Sequence, residues 1–331
     1  MKPDLRTSYL GLTLKSPILV SANPLTEKLD NLLRMEDAGA GAITLFSLFE
    51  EQIRQEEEVL DYLMEIGSES FAEALSYFPE VNSYRLPVEP YLELIEAASS
   101  RLDVPIIGSL NGITPEGWVE YGSMMESAGA SALELNIFYL PVNFKEDGAA
   151  VEQRYIDVLK AVKKAVKIPV SVKLTPYFSS FADMASKLTA AGANGLILFN
   201  RFYQPDIDIE HLDVKTSVEL SHPGEVRLPL LWLATLYGNL PVSLAATTGV
   251  HSGKEVIKYL LAGADVAMTA SALLKNGIDY LETMHAELER WMVVRDFESV
   301  NEFRGLMSRK RIARPEAYER VQYIKMLGQY R

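Results

Sequence analysis

Pro169-Val170-Ser171-Val172-Lys173-Leu174, then Ala191-Gly192-Ala193, then Leu196-Ile197-Leu198-Phe199: this stretch decides the fold. It reads as an apolar strand opening on proline, a helix ending on a glycine, and a second apolar strand. Proline at the first position of a strand sacrifices no ladder hydrogen bond. Glycine after a helix takes the left-handed conformation that stops it. The flanking alanines let the helix end lie close to a sheet.

The same unit occurs three more times. Pro17-Ile18-Leu19-Val20 precedes Ala38-Gly39-Ala40 and Ala42-Ile43-Thr44-Leu45-Phe46. Pro105-Ile106-Ile107-Gly108 precedes Ala128-Gly129-Ala130 and Leu133-Glu134-Leu135-Asn136-Ile137. Pro241-Val242-Ser243-Leu244 precedes Ala262-Gly263-Ala264 and Val266-Ala267-Met268-Thr269. From proline to glycine the spacing is 22, 24, 23 and 22 residues in chain order. Between them lie helical stretches such as Pro115 to Ser127, with Thr114 as N-cap before an N1 proline. Short apolar runs without polar alternation suit a parallel sheet covered on both faces. Four strand–helix–strand copies give eight strands, hence an α/β fold of the (β/α)8 TIM barrel type; a doubly wound open sheet is the alternative. The longer connections after every second strand place insertions at the C-terminal face, where barrel enzymes carry their active sites.

Composition bounds the rest. The 331 residues include no cysteine, which excludes disulfides, Cys-ligated metal sites and a Cys nucleophile or base. With 32 Lys+Arg against 45 Asp+Glu the net charge is −13, which gives no electrostatic help toward nucleic acid or anionic membrane. Residues 301–331 run the other way, with 8 basic against 3 acidic residues. The start, Met1 to Arg6, shows no apolar signal segment, so a cytoplasmic location is expected. Leu228 to Gly253 carries no Asp, Glu, Lys or Arg, but Gly238-Asn239-Leu240-Pro241 divides it into pieces too short to span a bilayer. The whole chain reads as a single domain with a basic helical tail from about residue 295, and the acidic run Glu50, Glu51, Glu56, Glu57, Glu58 reads as a solvated helix face.

Chemistry concentrates at the predicted strand ends. Ala246-Thr247-Thr248-Gly249-Val250-His251-Ser252-Gly253 and Thr269-Ala270-Ser271-Ala272-Leu273 are the seventh and eighth loops, where barrels commonly hold a phosphate on backbone N–H groups. Lys173 interrupts an apolar strand, which is costly without an anionic partner. An imine-forming amine, a cation against a cofactor ring and a solvated strand end are the readings open to it. Asn111, Asn136, Asn200 and the Ser21-Ala22-Asn23 segment sit at other strand ends, where amides can bind a planar polar ligand. His251 is the one histidine at a predicted mouth. No HxH or HExxH spacing occurs, so no metal is expected.

These residues together resemble the FMN-dependent dihydroorotate dehydrogenases, especially the soluble class 1 type, over roughly residues 7–275. Tyr9-Leu10-Gly11-Leu12-Thr13-Leu14-Lys15-Ser16-Pro17-Ile18 looks like the family's N-terminal hairpin and first barrel strand. Val172-Lys173-Leu174-Thr175-Pro176-Tyr177-Phe178 is similar to the strand whose lysine contacts the isoalloxazine ring. Leu198-Phe199-Asn200 is similar to the strand end whose Asn binds the pyrimidine. The resemblance implies an FMN site at Ser21, Ala22, Lys173, Thr248, Gly249, Ala270 and Ser271. It implies a small-molecule substrate held by Asn111, Asn136 and Asn200, and a hydride passed to flavin. A redox partner protein and a homodimer are further expectations, and the absence of GxGxxG argues against a built-in NAD domain.

The departures are specific. The family's lysine at the end of strand 2 is here Leu45; a paired glycine is Thr248; a Gly-Thr pair is Ala270-Ser271. The class 1 Cys base, three residues after the matching Asn136, is Tyr139, or Leu140 if the loop is one residue longer. Tyr139 is therefore the candidate for acid/base work, although an ordinary tyrosine has a pKa of about 10. Two other functions stay open: a flavin-binding protein without dihydroorotate oxidation, and a phosphate-binding barrel lyase or aldolase using Lys173 as the imine-forming amine.

Overall fold

In a computed structural model describing residues 2–50, 53, 88–112, 114–201, 205–215, 219–319 and 327, each proline-led run enters a barrel strand. The barrel strands are β3 (Ile18–Val20), β4 (Ile43–Phe49), β5 (Ile106–Asn111), β6 (Ala132–Asn136), β7 (Val170–Leu174), β8 (Gly195–Leu198), β11 (Ser243–Ala246) and β12 (Val266–Thr269). They pair in parallel and close in that order, with β12 against β3. This is a (β/α)8 TIM barrel. A hairpin of β1 (Thr7–Tyr9) and β2 (Leu12–Leu14) precedes it, and a hairpin of β9 (Asp206–Asp208) and β10 (Asp213–Lys215) rises after β8.

The helices between strands are α1 (Leu29–Asp37), α2 (Val88–Arg101), α3 (Pro115–Ser127), α4 (Gly148–Ala165), α5 (Phe181–Ala190), α6 (Arg227–Leu236) and α7 (Gly253–Ala262). After β12 come α8 (Ser271–Asn276), α9 (Tyr280–Val294) and α10 (Val300–Phe303). Thr114 caps α3, its hydroxyl accepting from the Gly117 N–H as the sequence suggests. Strand side chains alternate between two apolar layers. Leu19, Ala42, Ile107, Ala132, Ile197, Ala245 and Val266 fill the barrel, and Tyr9, Leu10 and Leu14 of the hairpin plug its base. The opposite face packs on the helices, as Leu133, Val172, Leu174 and Leu196 do.

All four glycines of the repeated turn are left-handed, with φ of +97°, +99°, +103° and +118° for Gly39, Gly129, Gly192 and Gly263. Gly263 is the most constrained, because a Cβ there would lie 2.4 Å from the Tyr237 ring. The Leu228–Gly253 stretch is α6 followed by β11, and among the described residues no helix is long and apolar enough to cross a membrane.

Two expectations change. The tail is helical only in part among its described residues: α10 and Leu327 are helical, Pro315–Tyr318 is a short 3-10 turn, and 320–326 and 328–331 lie outside the described residues. Its backbone N–H groups go to other helices instead. Gly305 donates to Leu260 (2.8 Å), Met307 to Leu261 (2.8 Å) and Arg309 to Ala234 (2.9 Å), satisfying C-terminal carbonyls of α7 and α6. The Arg304 guanidinium binds Asp265 at the head of β12. Asp4 pairs with Ser299, so the N-terminal segment and the tail meet beneath the barrel. The second change is Glu50, which is buried rather than solvated. Its carboxylate accepts from the Thr114 N–H at 2.9 Å and the Thr114 hydroxyl at 2.6 Å, fixing the start of α3. Glu51, Glu56, Glu57 and Glu58 lie outside the described residues.

Gly263→Ala should destabilise the protein by more than ~1 kcal/mol, since the substitution adds strain at positive φ to a steric clash. A urea midpoint equal to that of the wild type would contradict the role assigned to this turn.

Candidate active site

Alternation within four neighbouring strands builds the floor of the barrel mouth. β6 turns Glu134 and Asn136 inward and β7 turns Ser171 and Lys173 inward, while Leu133, Leu135 and Val172 face the helices. In β4 the regular pairing is interrupted between Thr44 and Ser47. Regular alternation from Ile43 leaves Leu45 in the helix-facing layer, fully buried, and the irregularity after Thr44 then sets Ser47, in place of Phe46, opposite Ser109 of β5. The mouth position of this strand is thus a serine, and Leu45 is not at the mouth. Registers place Ser47 beside Ser109, Ser109 beside Glu134 and Glu134 beside Ser171, one polar layer across four strands.

Lys173 is 7% exposed and Glu134 fully buried; Nζ donates to Oε1 over 3.1 Å. The anion that a lysine in this strand requires is therefore supplied by the next strand. Glu134 Oε1 also accepts from the Ser109 hydroxyl at 3.4 Å, while Oε2 is buried with no hydrogen-bond partner. Tyr91 holds Ser109 by its backbone, accepting from its N–H at 3.0 Å and donating to its carbonyl at 3.2 Å. Burial, and then the Glu134 charge, holds the Tyr9 phenol well above the usual range. The Ser47 and Ser109 hydroxyls are 2.8 Å apart. Asn136 Nδ2 donates to Ser47 at 3.3 Å, and Asn200 Nδ2 donates to Asn136 Oδ1 at 2.7 Å.

Beside this layer a cleft opens between the first, seventh and eighth strands. Ser21, Ala22, Lys173, Thr248, Gly249, Ala270 and Ser271 all line it, as does Asn200. Thr248 and Gly249 are consecutive left-handed residues, with φ of +75° and +76°. A threonine there is strained, and its hydroxyl donates to the Phe199 carbonyl at 3.1 Å. At Gly249 a Cβ would stand 2.9 Å from the Val226 side chain. Ser221, which the sequence reading missed, completes this end. Its N–H donates to Ser271 Oγ at 3.3 Å, its hydroxyl meets His251 Nε2 at 3.0 Å, and its carbonyl accepts from Lys275 Nζ at 3.1 Å. Burial, then the Lys275 charge, pulls the His251 imidazole below its ordinary 6.5. Hydroxyls, a close-approach glycine and the Lys275 ammonium bound to the Ser221 carbonyl suit a phosphate group, and Lys173 stands at the other end of the cleft. Among the described residues no three His, Cys, Asp or Glu side chains gather as metal ligands.

The remaining candidates lie apart. Asn136 joins the site through Asn200, and Asn111 ends β5, 6% exposed, but neither lines the cleft. Tyr139 is bound elsewhere: its hydroxyl donates to Glu146 at 2.5 Å, and the Arg154 guanidinium lies 3.9 Å over its ring while binding the same carboxylate. The hydrogen bond to Glu146 raises its pKa. Glu134 was legible in principle. It breaks an apolar strand in the same way as Lys173, and period-two alternation turns both inward.

A closed parallel barrel with a hydroxyl- and glycine-lined cleft at the C-terminal face, and a buried lysine beside it, has the architecture of the (β/α)8 barrel enzymes. The particular family follows from comparison. A family model described as dihydroorotate dehydrogenase matches residues 76–292, and the chain belongs to that family of oxidoreductases. It is 30% identical over 301 residues to the dihydroorotate dehydrogenase B (NAD(+)) catalytic subunit of Methanocaldococcus jannaschii, covering 86% of this chain and 92% of that one. Proteins of the same description from Methanothermobacter thermautotrophicus and Pyrococcus abyssi are each 26% identical, over 315 and 312 residues, with 91% of this chain and 98% of theirs covered in both cases.

The Lys173–Glu134 pair gives a direct test. Lys173→Met leaves a buried carboxylate without its cation and should cost about 3–5 kcal/mol. The double variant Lys173→Met/Glu134→Leu should recover most of that loss in chemical denaturation. Equal stability of the single variant and the wild type would mean that the pair does not form.

Proposed function

We propose that this chain is an FMN-dependent dehydrogenase that oxidises dihydroorotate, or a related small substrate with a saturated CH–CH bond. One observation carries the reading. All seven residues expected around the cofactor, from four separated stretches of sequence, converge on a single cleft. The residues present fit FMN. Thr248, Gly249 and Ser271 would hold its phosphate in a turn that admits no side chain at Gly249, with Ser21 and Ala22 along the same wall. Lys173 would offer its ammonium to the ring system. When bound, FMN supplies a two-electron acceptor.

Asn111, Asn136 and Asn200 would orient the substrate. The bond from Asn200 to Asn136, and from Asn136 to Ser47, fixes both amides, so Asn200 Oδ1 remains an acceptor for a planar polar ring. Electrons would then pass to a separate redox partner, since the chain has no dinucleotide motif, and the reaction would take place in the cytoplasm in a homodimer. The engagement of Tyr139 by Glu146 and Arg154 favours a second reading, a flavin-binding protein that does not oxidise dihydroorotate. The lyase reading fares worse, because an imine-forming lysine must present a free neutral amine and Lys173 is held by Glu134.

The purified protein should be yellow, or become so on titration with FMN, and anaerobic dihydroorotate should bleach the flavin band. A protein that takes up no flavin overturns the proposal. A yellow protein that dihydroorotate fails to bleach leaves the second reading.

A further inference from the structure

The loop after β6 brings no base to the cleft, yet removing hydrogen from a CH–CH bond requires a proton acceptor as well as a hydride acceptor. The polar layer under the mouth supplies one. We infer that Ser47 is the catalytic base, its hydroxyl proton passing through Ser109 to the buried carboxylate of Glu134; this rests on the dehydrogenase reading above.

The polarity of the chain follows from its donors and acceptors. An ionised carboxylate only accepts. The Ser109 hydroxyl, 3.4 Å from Glu134 Oε1, therefore donates downward, and Ser47, 2.8 Å from Ser109 Oγ, donates to Ser109 in turn. Ser47 Oγ is left as an acceptor at the top of the chain; among the described residues its donor neighbour is the Asn136 amide at 3.3 Å, which Asn200 of the cleft wall holds in turn. It is half-buried, whereas Ser109 and Glu134 are fully buried, so the chain runs from the mouth inward. Tyr91 holds the Ser109 backbone from both sides and fixes the middle link. Glu134 Oε2 is buried without a partner, an acceptor that the resting structure does not use.

The step balances as follows. The acidic C–H next to the substrate carbonyl breaks, and its proton forms an O–H bond on Ser47 as the original Ser47 proton moves to Ser109 and that of Ser109 moves to Glu134. No oxygen between the ends carries net charge if the shifts are concerted. The adjacent carbon gives up its hydrogen with two electrons to the flavin-class oxidant of that reading, and a C=C bond forms. The proton on Glu134 leaves the Lys173 ammonium without its counter-charge, so positive charge rises beside the cofactor cleft as reduction proceeds.

The test uses the FMN-loaded full chain, with dihydroorotate as reductant and orotate as probe ligand. Ser47→Ala should slow anaerobic bleaching by ~10²-fold or more, the usual share of a general base. Its FMN dissociation constant and the flavin spectral shift on binding orotate should stay unchanged. Ser123→Ala, on α3 with its hydroxyl donating to the Val119 carbonyl and away from the polar layer, should bleach at the wild-type rate. Infrared difference spectra on reduction should show a protonated carboxyl band in the wild type that is missing from Glu134→Gln and Ser109→Ala. Wild-type bleaching matched by Ser47→Ala, or a carboxyl band that survives in Glu134→Gln, overturns the relay alone. Failure of the wild type to bleach overturns the dehydrogenase reading and the relay with it.

Discussion

A charged amine inside a β-barrel has to find an anion that is also inside the barrel. Lys173 and Glu134 meet that demand across one strand interval, and much of the mouth is organised around them. The pair fixes which faces of β6 and β7 turn inward, and with them Asn136 and Ser171. It brings the two serines of β4 and β5 into the same layer and places a cation at the cleft wall. Replaced by hydrophobic residues of similar volume, such a pair can be neutral for stability. Its retention here is therefore better understood through what it does at the mouth than through what it adds to the fold.

The other constraint is geometric. Eight short strands close only if each helix stops where the next strand must begin. The left-handed glycine of the repeated turn sets that point, and at Gly263 the Tyr237 ring leaves room for no other residue. Closure then brings the loop after β3 against those after β11 and β12, although more than two hundred positions separate it from them in sequence. The cleft is a product of that closure, with no loop sufficient to form it alone.

The barrel was legible because its signals are local and repeated: proline, helix, glycine, apolar strand. The cleft was legible because its residues stand at strand ends, and closure brings those strand ends to one face. What escaped depended on contacts between strands. Nothing local distinguishes Glu134 as the partner of Lys173, and nothing announces that an irregularity in β4 turns Ser47 inward in place of Phe46. Glu50 read as solvated because its neighbours are acidic, yet a buried helix start needed an acceptor and took it. Within the tail, nothing in the sequence marks that the C-terminal carbonyls of α6 and α7 take the backbone of Gly305, Met307 and Arg309. Tyr139 matched the place of a base by counting along the chain, and the Glu146–Arg154 pair captured it.

The pairing of Asp4 with Ser299 joins the N-terminal segment to the chain that follows the last long helix. The Thr7 hydroxyl donates to the Asp265 carbonyl and the Arg304 guanidinium binds the Asp265 carboxylate, so both segments anchor the start of the last barrel strand. A change in this seam therefore acts on how firmly the ring closes at the end away from the cleft, and leaves the contacts of the mouth as they are.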